Sequence, residues 1–278
     1  VEHARALAGL ITSETGRGPP SGASASREAP PETGVVSVPD VEAALAALRA
    51  ASYPRHADTD ALVERLAREH PELPLTPELV FLVKDGKALT PYGVPEEAAG
   101  AARILSDGRG ERKIVILAAP RGVSLDDFVE YSIHEAVHLR DDAVLRIPHE
   151  RFVEHWLAEG WTQLRSHAMA NASLKGLGRP QRPNAAYSAE VALARAFIAR
   201  HGEAPLEELV ERGSDAGLRR ALGERWDALL ALAAEDPRGA VRQRDYFLKV
   251  MQVVVEHPEF GPRDFRNAAV ALYGSRPS

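Results

Sequence analysis

The chain of 278 residues contains no cysteine. That absence removes disulfides, cysteine-ligated zinc ribbons and thiol catalysis together. It leaves the compartment open, because a cysteine-free protein folds in oxidising and reducing surroundings alike. No run approaches the twenty apolar residues of a helical membrane span. Aromatic residues make up only 6%, no basic stripe is interleaved with them, and the net charge is −6. Together these argue against a nucleic-acid partner. The 45% of hydrophobic residues still suffice for a real core, in one sizeable domain or two modest ones. The composition is of bacterial type and leans towards an exported protein. The chain starts at Val1 without methionine, which leaves room for a leader or a larger upstream region.

What the sequence does hold is concentrated at His134-Glu135-Ala136-Val137-His138. Four residues make a little more than one helical turn, so both imidazoles point the same way with a carboxylate beside the first. Residues 112–119 have a β-branched core and read as a strand, ended by Pro120-Arg121-Gly122. The spacing then predicts a helix. Ser124 is its N-cap, Asp127 can return the hydrogen bond as a capping-box partner, and Asp126 adds negative charge to the first turn. Leu125, Phe128, Val129, Ser132, Ile133, Ala136 and Val137 form its apolar face, with His134 and His138 at the edge.

A catalytic zinc takes three protein ligands and leaves one position to water. The best candidate for the third ligand is Glu159, inside a second helical run over about 149–172. A loop around Ile147-Pro148 lets that helix return antiparallel and bring the carboxylate opposite the imidazoles. Glu150 and Glu154 share the helix, where a glutamate on an exposed face is usually just solvated, and Asp141 and Asp142 follow too closely to reach the metal without breaking the first helix. Gly at 141 and His at 144 would mark a metzincin; Asp141 and Val144 exclude that branch.

Over 124–172 the chain resembles the gluzincin, or thermolysin-like, type of zinc metallopeptidase. Leu157-Ala158-Glu159-Gly160-Trp161-Thr162 is similar to the L-x-E-G-x-T phrase around the third ligand of that group. The resemblance implies an α+β, zincin-like catalytic domain with a small mixed or antiparallel sheet. It also implies one zinc held by His134, His138 and Glu159, and a protein or peptide substrate. Glu135 would take a proton from the attacking water as general base and pass it to the leaving amine. Asp142 would orient a ligand histidine. The strand over 114–118, as a sheet edge, would bind extended substrate backbone. The developing oxyanion needs a donor. Tyr187 is the candidate, with His155 and His167 as alternatives, and the Gly/Pro-rich loop over 176–183 before it is a possible mobile rim.

Composition, helical pattern and the resemblance together lead to three expected regions: a flexible segment over 1–39, a part over 40–175 that the resemblance makes zincin-like, and a helical subdomain over 176–278, with the active site between the last two. A short helix is expected over 1–13 and a Gly/Pro/Ser/Ala-rich tether over 16–39. Asp40 caps a helix over 41–50, and a second runs over 58–70. Residues 79–84 read as a strand, Asp85-Gly86 as a turn, 87–89 as a short return strand and 95–106 as a helix. Helices are expected over 187–201, 205–212, 215–234, 238–256 and 263–273. Two rival functions stand beside a peptidase: a catalytically silent zincin-like binding or regulatory protein, and a helical interaction module in which the motif is accidental. The tether also suits a delivered effector or toxin that cuts one protein.

Overall fold

The computed structural model describes residues 34–95, 98–119, 122–184, 186–235 and 244–264. The expected helix over 1–13, most of the tether and nearly all of the helix over 263–273 lie outside them. The protein is α+β, with a small mixed four-stranded sheet and mostly helical elsewhere. Of the described residues, one compact unit comprises 34–149 and 162–186, and the other 150–161 and 187–264.

The first unit carries the sheet. Its strands are β1 (Val35–Ser37), β2 (Val80–Val83), β3 (Gly100–Ser106) and β4 (Glu111–Ala118), in the order β1-β3-β4-β2. β3 and β4 are antiparallel, β1 is parallel to β3, and β2 is parallel to β4. The hairpin at 107–110 follows from local chemistry. Asp107 accepts from the backbone N–H groups of Arg109 and Gly110 at 2.9 and 3.0 Å, and Gly108 adopts φ +77°. Helix α1 (Val41–Ala51) is capped by Asp40, whose carboxylate accepts from the Ala43 N–H at 2.8 Å. Leu45 and Leu48 of α1 pack with Phe81, Val83, Leu105, Ile114 and Ile116 on one face of the sheet. Helix α2 (Ala57–Glu69) follows, and helix α3 (Leu125–Arg140) packs against β3 and β4.

Three expectations change here. Residues 95–106 include β3 rather than a helix, because Ala101, Ala102, Ile104 and Leu105 pair with β4 and bury on the sheet. Residues 86–92 form a 3-10 turn in place of a return strand, with Pro91 inside and Gly93 ending it at φ +63°. The strand over 114–118 is not an edge. It is hydrogen-bonded to β2 on one side and β3 on the other, so its backbone cannot accept an added strand. β1 also falls within the segment read as tether.

The second unit is helical. Helix α4 (Phe152–Gly176) is one uninterrupted 25-residue helix that contributes residues up to Trp161 here and its remainder to the sheet unit. Helices α5 (Ser188–His201), α6 (Ala204–Arg212), α7 (Ala216–Leu222), α8 (Glu224–Glu235) and α9 (Arg244–Glu256) complete it. Gly223, at φ +58°, splits the helix expected over 215–234 into α7 and α8. Trp156 packs against Phe152 and Phe247 at ring-centroid distances of 4.9 and 5.7 Å. Trp226 is fully buried and donates its indole N–H to Asp215 at 3.0 Å. Among the described residues no helix is long and apolar enough to cross a membrane.

Candidate metal centre

α3 begins where the sequence places it. Ser124 Oγ accepts from the Asp127 N–H at 3.1 Å. The Asp127 carboxylate answers by accepting from the Ser124 hydroxyl at 2.6 Å, rather than from the Ser124 backbone as a capping box would. That hydroxyl and then Arg182 hold the Asp127 carboxyl below the ordinary carboxylate range. One turn on, burial and then the charges of Asp127 and Glu130 push the Tyr131 phenol above its usual value, so it stays protonated. Ser132, Ile133, Ala136 and Val137 are fully buried, and His134 and His138 are buried with them.

The two imidazoles meet edge to face, with ring centroids 4.9 Å apart and Nε2 atoms 3.2 Å apart. Glu159 stands on α4, three residues before Thr162 on the same unbroken helix. The ligand atoms of His134, His138 and Glu159 all lie within 4.8 Å of one another, and this half-buried carboxylate with two buried imidazoles can hold a metal ion. The two imidazoles are spaced for such an ion. Donors 2.0–2.1 Å from a tetrahedral centre are separated by about 3.3 Å, close to the spacing of the two imidazole nitrogens. Imidazole and carboxylate donors together suit several first-row divalent ions.

The surroundings differ from expectation in informative ways. Asp142 pairs with Lys113 at 3.1 Å and Arg146 at 3.4 Å, whereas Ser166 faces His134, its Oγ 3.3 Å from Nδ1. Sequence reading missed Ser166, since nothing local marks a serine 32 residues away as a neighbour. It also missed Gly100, the first residue of β3. A Cβ there would lie 3.0 Å from Glu135 Oε1 and 3.4 Å from its Cγ, so the bare backbone makes room for that half-buried carboxylate. His167 faces Glu130 at 3.9 Å and accepts from the Asn171 amide at 2.9 Å. His155 is buried.

The loop read as a mobile rim is tied down within the sheet unit. Arg179 binds Asp126 at 2.9 Å; Arg182 binds Asp127 at 2.6 Å and Glu130 at 3.1 Å. Asn171 brackets the Arg182 backbone with two hydrogen bonds, and Gln163 donates to Asn184 at 3.1 Å. In the helical unit, Tyr187 precedes α5 in the left-handed region at φ +51°, the only non-glycine residue with positive φ among the described residues. This backbone costs an L-residue about 1–2 kcal/mol. Its half-exposed ring faces the Arg244 guanidinium at 6.0 Å, and Arg244 is ion-paired with the buried Glu190. Glu190 in turn abuts Gly160, the neighbour of Glu159: a Cβ at 160 would fall 2.1 Å from the Glu190 carbonyl oxygen.

In comparisons with known proteins, no family model, no curated protein and no solved structure matches the chain.

Proposed function

We propose that the protein is a zinc-dependent metallopeptidase that hydrolyses peptide bonds in a protein or peptide substrate. The observation that carries this reading is the convergence of His134, His138 and Glu159 within 4.8 Å with Glu135 beside the first ligand. A histidine-histidine-carboxylate set leaves the fourth position of a tetrahedral ion open, the arrangement of a catalytic rather than a structural zinc. When bound, zinc acidifies a water and polarises the substrate carbonyl.

The chain's own residues supply the rest. Glu135, next to a ligand in sequence and seated over Gly100, takes the proton of the attacking water and delivers it to the leaving amine. Tyr187 is the donor assigned to the developing oxyanion. The support for that assignment is its left-handed backbone, since strain of this kind clusters at functional positions. Because the strand over 114–118 is paired on both sides, substrate is held by side chains and by backbone outside that strand.

Elemental analysis after dialysis against a weak chelator tests the metal. One zinc per chain in the parent and little in Glu159→Ala is expected, since losing a ligand costs more than the ~10–100-fold that losing a supporting residue costs. A parent that takes up no added zinc would overturn the reading. Glu135→Gln then separates enzyme from silent scaffold: zinc retained with peptide hydrolysis abolished is expected, and a parent that holds zinc but cleaves no member of a peptide library would mark a binding protein.

A further inference from the structure

Resting on that metal reading, we infer that Ser166 is the positioning residue that fixes which nitrogen of His134 is presented to the metal. Ser166 is buried, at 1% exposure, and its Oγ stands 3.3 Å from His134 Nδ1. A serine hydroxyl has one proton to donate and lone pairs to accept with. That proton has an acceptor in the Gln163 carbonyl, 3.4 Å away on the preceding turn of α4. The Oγ lone pair then accepts a hydrogen bond from His134, which places the ring proton on Nδ1 and leaves the Nε2 lone pair unprotonated. Nε2 is the atom 3.2 Å from His138 Nε2, so this tautomer aims a lone pair where a metal would sit. The opposite polarity, with Ser166 donating to Nδ1, would put the proton on Nε2 and block coordination. The partner is neutral, and a hydroxyl leaves the imidazole less basic than a carboxylate would, because it adds no negative charge beside the ring.

The test compares the full-length protein with Ser166→Ala and Ser166→Thr. Zinc affinity is measured by competition with a chromogenic chelator, and the His134 tautomer in zinc-free protein by ¹⁵N NMR. The parent should show Nδ1–H. Ser166→Ala should lose that preference and bind zinc ~10–100-fold more weakly, and Ser166→Thr should restore both through its hydroxyl. An Nε2–H tautomer in the parent, or undiminished zinc affinity in Ser166→Ala, would overturn the inference. The two readings fail separately: a parent with Nδ1–H that takes up no zinc sinks the metal reading while upholding the hydrogen bond, whereas a parent with zinc and the wrong tautomer sinks only the role of Ser166.

Discussion

The two compact units hold site residues by opposite means. In the sheet unit, α3 is fastened by charge and caps: Ser124 with Asp127, Arg179 and Arg182 on the acidic first two turns, and Lys113 donating to the Leu139 carbonyl at 2.8 Å at the far end. In the helical unit, the first part of α4 is fastened by close packing: Trp156 among Phe152 and Phe247, and Gly160 against the backbone of α5. Directional contacts of the first kind set a side chain's orientation and stabilise modestly. Close packing stabilises more and yields less. A glycine stands beside a site carboxylate in each unit, and substitutions at the two should therefore behave differently.

Gly160→Ala should have the largest effect. Alanine favours a helix interior by about 1 kcal/mol over glycine. Its Cβ would fall 2.1 Å from the Glu190 carbonyl oxygen, however, and backbone cannot step aside as a side-chain end can. Overpacking costs about 1–3 kcal/mol and more when the backbone must move. The net should be a loss of up to about 2 kcal/mol in denaturant unfolding, with weakened zinc retention through the adjacent Glu159. An unchanged unfolding midpoint would mean that α4 and α5 do not touch there.

Gly100→Ala should do the converse. The Cβ meets the tip of Glu135, 3.0 Å away, and the carboxylate can rotate clear by a few tenths of an ångström. Stability should change by under about 1 kcal/mol and zinc content not at all. If Glu135 is the general base proposed above, its displacement lowers kcat roughly 10-fold, since misplacement by 1 Å costs on the order of 100-fold. A fall in stability without a fall in turnover would reverse the comparison drawn between the two glycines.

The capacity to read these features from sequence divides by distance along the chain. The motif helix, its Ser124 cap, the helices after Asp40 and the strand before the motif are written in residues a few positions apart, and the structure places all of them. The convergence of His134, His138 and Glu159 was legible because both helices carry their periodicity locally and a short loop joins them. β3 was not. Its alanines favour a helix, and only pairing with β4 through the Asp107-Gly108 turn overrides that propensity. β1 pairs in parallel with a strand nearly 70 positions on, a contact no local pattern announces. Ser166, Gly100 and Arg244 act through distant neighbours and carry no motif.

The smallest effects concern pH, and the contrast between the units gives them opposite signs. Asp127, in the sheet unit, has its carboxyl lowered, first by the Ser124 hydroxyl and then by Arg182. Its folded value lies below its unfolded one, so its stabilisation is present above the ordinary aspartate range and is lost as pH falls through the folded value. Glu154, in the helical unit, is raised by burial, which outweighs its ion pair with Arg151 at 2.9 Å. Its folded value lies above its unfolded one, so ionisation costs stability once pH rises past the ordinary glutamate range. Asp127→Asn should therefore lower stability at pH 7 by under about 1 kcal/mol, a deficit that shrinks towards pH 3. Glu154→Gln keeps an acceptor for Arg151 without the buried charge, and should raise stability slightly at pH 7 and change nothing near pH 4. Calorimetric scans across that range decide the matter. A destabilised Glu154→Gln at neutral pH would show that the Arg151 pair outweighs desolvation, and that the helical unit, like the sheet unit, is held by its charges.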